Sequence, residues 1–169
     1  MSMEVIGQYF EQYGAIAVFV IVLLEYMNLP GFPAGVIMPL AGVWAANGKL
    51  SFLFTMAVSV SAGLVGSWIL YFFGRMGGSV FLKKYVEKFP KQQAAIERNF
   101  EMIRQKGCAG IFLGKLIPMV RTLISIPAGV LRFDFLKYTI SSALGICVWN
   151  FVFVGAGYLF GNQVFEMLG

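Results

Sequence analysis

Apolar residues in this chain do not alternate with polar ones; they come in long blocks punctuated by proline. Two blocks are long enough to cross a bilayer as helices. Residues 50–74 carry no charge, and 135–160 carry only Lys137. At about 1.5 Å per residue, each exceeds the roughly 30 Å hydrocarbon layer. The remaining apolar stretches are shorter and paired. Residues 15–29 are stopped by Pro30-Gly31-Phe32-Pro33 and followed at once by 34–46, while 108–117 and 122–131 flank Pro118. As helix, each arm reaches only about 15–20 Å. Proline removes a donor and clashes with the preceding turn, so both sites are expected breaks.

The pattern predicts an all-α integral membrane protein with two re-entrant helical hairpins, each followed by a transmembrane helix. Broken backbone at membrane depth is tolerated only where protein or water covers it, so the tips are expected to face one another or a cavity. Their break residues are Pro30, Gly31 and Pro33 in the first and Pro118 and Pro127 in the second. An internal repeat supports the scheme. Ala-Gly-Val at 41–43 recurs at 128–130, Tyr71-Phe72-Phe73-Gly74 recurs as Tyr158-Leu159-Phe160-Gly161, and Asn47 and Asp134 match as helix N-caps. The chain then reads as one membrane domain over residues 1–169, with repeat one about 15–77, a basic linker about 78–107 and repeat two about 108–161. A hairpin plus one crossing is a net single traverse. With the linker on one side the second copy runs upside down, an inverted repeat of the kind transporters use.

Composition points the same way. Of 169 residues, 59% are apolar and 12% charged, against about 25% charged in an ordinary soluble domain. Cations concentrate in 75–106, where Arg75, Lys83, Lys84, Lys88, Lys91, Arg98, Arg104 and Lys106 face only Glu87, Glu97 and Glu101. That bias assigns the linker to the cytoplasmic side. Its stripes, Phe81-Tyr85-Phe89 and Ile96-Phe100-Ile103, predict two amphipathic helices on the membrane surface. Glu4 and Glu11 and the lack of a basic start argue against a cleavable leader. Cys108 and Cys147 sit in apolar sequence and read as packing residues. Gly63, Gly66, Gly145 and Gly155 are expected to let helices approach closely, and Trp68 and Trp149 to pack or to anchor at an interface.

Few residues remain to carry chemistry. Glu25 follows an apolar run five residues before Pro30, and an ionisable group at such depth is a functional candidate by default. It either takes up a proton or pairs with a cation of the opposite hairpin, and such a pair has a purely structural reading as well. Arg121 stands three residues after Pro118 and opens the half-helix Thr-Leu-Ile-Ser-Ile-Pro-Ala-Gly. Free amides there, with Thr122 and Ser125, form an anion seat, and the guanidinium favours phosphate or carboxylate. Lys115 adds a second cation, with snorkelling to an interface as its alternative. Arg132 and Lys137 read as topology anchors. The chain has no His, and the sequence offers no metal cluster, no cofactor fingerprint and no nucleophile–base constellation. Neither an enzyme nor a nucleic-acid binder is expected.

The segment from Gly114 to Gly161 resembles the signature of the DedA family, the bacterial branch of the VTT-domain proteins. The matching positions are Gly114, Pro118, Arg121, Thr122, Pro127, Ala128, Gly129, Gly145, Trp149, Gly157, Tyr158 and Gly161. Glu25 with its Pro-rich tip, and Gly66 to Gly78, are similar to two further family segments. Lys115 stands where the family usually has Arg, which keeps charge but loses the fork. Ala34 and Gly35 occupy the region of a second acidic residue, and a further C-terminal crossing of relatives has no counterpart here. The resemblance implies a flippase of the bacterial plasma membrane, multi-pass, for a lipid phosphate, foremost undecaprenyl phosphate being recycled. Phosphatidylethanolamine or another phospholipid is the alternative cargo. Phosphate would sit on Arg121, Lys115, Thr122 and Ser125, with Glu25 as the coupling site. A proton-coupled carrier of small solutes and a non-transporting scaffold are the rival readings, and a homodimer is a candidate assembly.

Overall fold

The computed structural model describes residues 3–27, 37–46, 51–90, 93–118 and 120–168, and its regular structure among these is entirely helical. Seven helices follow in chain order: α1 (Met3–Tyr26), α2 (Ile37–Ala46), α3 (Phe52–Lys88), α4 (Gln93–Lys115), α5 (Val120–Leu123), α6 (Ser125–Val130) and α7 (Phe135–Leu168). Within α3 and α7, Phe52–Gly78 and Phe135–Phe160 are long and apolar enough to cross a membrane. Their outer faces carry large apolar side chains such as Leu53, Met76, Leu136 and Leu159, all strongly exposed. The anticipated tip residues Pro30, Gly31 and Pro33, and the cap Asn47, lie outside the described residues.

Three helices change direction at a glycine. Gly14, Gly78 and Gly107 have φ of 44°, 50° and 54°, left-handed values that a side chain disfavours. The bends at Gly78 and Gly107 set off the basic ends of α3 and α4 from the apolar parts. The linker stripe on α4 differs from expectation: Ile96, Asn99 and Ile103 are buried, and Ile103 packs in a cluster with Tyr71, Ile111, Val120, Ile124 and Tyr138. Its apolar face therefore serves the bundle. The cysteines also differ, since Cys108 and Cys147 are exposed. The side chains of Phe81 and Tyr85 lie outside the described ones.

After Pro118 the expected single half-helix is two short helices, α5 and α6, with the break at Ile124. Pro127 is the physical reason. It has no amide to bond Leu123, and its ring crowds that carbonyl, so helical bonding restarts with Ala128 N–H to Ile124 O at 3.2 Å. At the start of α7, Asp134 caps as anticipated, its Oδ1 accepting from Lys137 N–H at 2.9 Å.

Helix partners follow a crossed pattern. α1 lies on α3 and α4 on α7, but α2 packs chiefly on α7 and α6 on α3. Glycine makes the crossed contacts. A Cβ at Gly42 would overlap Val154 O and stand 2.8 Å from Tyr158 N, and one at Gly129 would overlap Tyr71 O and stand 2.8 Å from Arg75 N. In the same way Gly157 abuts the Pro39 carbonyl and Gly74 that of Ile126. Of the glycines singled out from sequence, Gly63 and Gly66 pack on Tyr26 and Gly145 on Lys115, whereas Gly155 faces open space. Val18, Val22, Tyr26, Met38, Met56, Ile146 and Val154 form a second apolar cluster.

Candidate functional site

Between the two apolar clusters lies a buried polar centre. Arg121 on α5 is fully buried, and its Nη2 donates to Oε1 of Glu25, itself 3% exposed on α1. The guanidinium carbon lies 4.6 Å from the Tyr26 ring centroid and 4.8 Å from that of Trp149. Cation and rings attract one another electrostatically at such range. Glu25 is the one carboxylate among the described buried residues, and the buried cations are Arg121 and Lys115. The centre thus carries a formal excess of positive charge.

Lys115, at the end of α4, is also fully buried. Its Nζ donates to Ser67 Oγ at 2.8 Å, Arg121 O at 3.0 Å and Ser125 Oγ at 3.1 Å. An ammonium has three donors, so all of them are engaged and the side chain does not snorkel. It ties α3, α4, α5 and α6 together. Lys115→Met is accordingly expected to lower stability by about 2–3 kcal/mol, the scale of one or two hydrogen bonds to a buried charged group. Thermal unfolding in detergent would measure it, and an unchanged midpoint would remove Lys115 from this role.

Two of the amides expected to seat an anion are committed elsewhere. Val120 N–H bonds Pro118 O at 2.8 Å and Arg121 N–H bonds Ile117 O at 3.0 Å. Thr122 is buried beside Arg121 on α5, and Ser125 joins the Lys115 network from α6. Pro118 lies in the turn before α5 and Pro127 inside α6. Arg132, in the turn before α7, and Lys137, in its first turn, are exposed.

A polar seam extends from this centre in both directions along α3. Toward its C-terminal end, Tyr138 OH lies 2.8 Å from Ser125 Oγ and 3.1 Å from Ser67 O. The Tyr138 ring stacks on Tyr71 at 4.7 Å, and Tyr71 OH donates to Phe133 O at 2.5 Å while accepting from Arg75 Nη1 at 2.7 Å. Toward the other end, Tyr26 OH donates to Asn150 Oδ1 at 3.1 Å, and Asn150 Nδ2 donates to Ser59 Oγ at 3.1 Å. Sequence reasoning passed over Tyr26, Ser59, Ser67, Tyr138 and Asn150. The signal was present: Ser59, Ser67 and Tyr71 on α3, and Tyr138, Ser142 and Trp149 on α7, recur at near-helical spacing in otherwise apolar runs, which marks one inward face.

With the geometry in view, comparison with known proteins gives a consistent answer. The family model described as VTT domain matches residues 32–159. An undecaprenyl phosphate transporter A of Staphylococcus aureus is 29% identical over 88% of this chain and 74% of its own length. The protein of the same name from Bacillus subtilis is 30% identical over 78% of this chain and 66% of its own. An alkaline phosphatase-like protein of Lactococcus lactis is 29% identical over 98% of this chain and 78% of its own. No solved structure matches the chain significantly. Glu25, upstream of the matched span, meets Arg121 inside it, and the chain is a membrane protein that belongs to the VTT domain family, the family of DedA proteins.

Proposed function

We propose that this protein is a flippase for a lipid phosphate in the bacterial plasma membrane, with undecaprenyl phosphate as its foremost cargo. The observation that carries the reading is a fully buried guanidinium whose Nε and Nη1 have no hydrogen-bond partner among the described residues. A buried charge normally has its donors satisfied, so unfilled donors in a buried, cation-rich centre favour an anionic ligand. Two relatives named for undecaprenyl phosphate transport supply the cargo class. Arg121 binds the phosphate, Lys115 with Thr122 and Ser125 shapes and charges the seat, and the isoprenoid tail stays in the bilayer. Glu25 holds Arg121 when the seat is empty and yields it to phosphate, taking a proton as it does so.

The same reading treats 15–77 and 108–161 as inverted repeats, each a re-entrant hairpin and a crossing, with the linker 75–106 on the cytoplasmic side. The crossed glycine contacts favour it, because Gly42 and Gly129 hold corresponding places in the two halves. A hydrolase reading, suggested by the name of the Lactococcus relative, draws no support from the described residues: the chain has no histidine, and among the described residues the buried centre holds one carboxylate and no nucleophile–base pair.

The test is sidedness of labelled undecaprenyl phosphate in proteoliposomes, with phosphatidylethanolamine as competing cargo. Wild type is expected to equilibrate the phosphate across the bilayer. Glu25→Gln, which keeps a hydrogen-bond acceptor for Arg121, should fold and lose the dependence of flux on a pH gradient. Wild-type flux no faster than in protein-free vesicles would reject the proposal, and a soluble solute driven without any lipid would favour the small-solute carrier.

A further inference from the structure

Among the described residues, Trp149 is the one aromatic side chain against Arg121 that presents an unmet donor. Its indole Nε1 is buried and has no hydrogen-bond partner among the described residues, and the side chain as a whole is 8% exposed. The Arg121 guanidinium lies 4.8 Å from its ring centroid and has its own unmet donors at Nε and Nη1. Tyr26, the other ring against Arg121, differs: its hydroxyl is used on Asn150. An indole nitrogen can only donate, and so can a guanidinium. Three buried nitrogens on two side chains in contact, all donors and all unfilled among the described residues, are complementary to a ligand that only accepts.

We propose that Trp149 is a direct ligand of the phosphate, its Nε1–H donating to one oxygen while Arg121 Nε–H and Nη1–H donate to others. This rests on the phosphate reading above and adds a residue to the seat from α7, the crossing that also carries Tyr138 and Asn150. It gives the site a neutral donor whose contribution does not depend on charge. It also gives a specificity rule: a headgroup lacking an unshielded phosphate oxygen leaves the indole N–H unpaired and binds less tightly, since an orphaned buried donor is destabilising.

The experiment uses the full chain in phosphatidylcholine nanodiscs with ¹⁵N-labelled indoles. The sequence has three tryptophans, hence three indole N–H signals, and Trp149→Phe assigns the one of interest. Undecaprenyl phosphate, inorganic phosphate and undecaprenol are titrated separately. The Trp149 signal is expected to move downfield with undecaprenyl phosphate and to stay in place with undecaprenol. Movement with inorganic phosphate as well would mean that the seat takes the free ion too; movement with the lipid alone would make the tail part of recognition. Trp149→Phe keeps a ring against Arg121 and is expected to keep its melting temperature while binding undecaprenyl phosphate about tenfold more weakly, the size of one lost hydrogen bond to a charged group. If the lipid phosphate binds, Arg121→Ala abolishes binding, and the Trp149 signal is still, Trp149 is not a ligand although the phosphate seat stands. If no phosphate compound binds the wild type, both the seat and the Trp149 assignment fall.

Discussion

Arg121→Met is expected to destabilise the protein more than Arg121→Met combined with Glu25→Leu. In the single variant Glu25 loses its cation and must stay charged or take up a proton, and breaking a buried ion pair by removing one partner costs about 3–5 kcal/mol. Removing both ends eliminates the orphan, and apolar replacements of similar volume are often neutral or stabilising. The pair is suited to this comparison because both side chains are buried and Arg121 lies against Tyr26 and Trp149, which leaves methionine apolar neighbours. Unfolding in mixed micelles measures the two variants, and lipid-phosphate sidedness measures their activity. A double variant as stable as wild type but without flux would separate transport from architecture. A double variant that still moves lipid phosphate would reduce the ion pair to a structural tie, as a scaffold would have it.

Gly129→Leu and Gly42→Leu should each lose about 3 kcal/mol or fail to fold, the upper range for forcing added volume into a packed interface. At both positions the added carbon overlaps a carbonyl oxygen of the facing helix. Backbone, unlike a flexible side chain, moves only if the whole helix moves. Gly155→Leu is the control, since a Cβ there meets nothing within 4 Å, and it should be neutral. Monodispersity on size exclusion and the thermal midpoint would decide the matter. Equal stability of Gly129→Leu and Gly155→Leu would mean that α3 and α6 do not meet as described.

What the sequence made legible was whatever depends on one stretch of chain. The two helices long enough to cross a membrane could be read because a helix surrounded by water rarely goes more than twenty residues without a charge, whereas lipid demands it. The break at Pro118 could be read because proline cannot continue a helix. Glu25 and Arg121 stood out as ionisable groups in apolar surroundings, and the structure brings them together. The unread part depends on relative rotation of helices. Single residues such as Ser59, Ser67, Tyr138 and Asn150 look incidental until α3 and α7 turn the same faces inward. Nothing local marks the difference between Gly129, which a carbonyl touches, and Gly155, which nothing touches. The cysteines misled for the same reason: where lipid replaces water as the surroundings, an apolar neighbourhood in sequence does not imply burial. Pro127 was visible, but its effect on Leu123 required knowing that the helix began before it.

The exchange of partners between the halves bears on how the chain is made. α2 rests on α7, made only after α3 to α6, while α6 rests on α3, already synthesised. At roughly 5–20 residues per second, several seconds pass before the partner of the α2 glycine face exists. During biogenesis the first-made helices therefore pass an interval without the partner that covers this face, an interval set by the length of chain between α2 and α7.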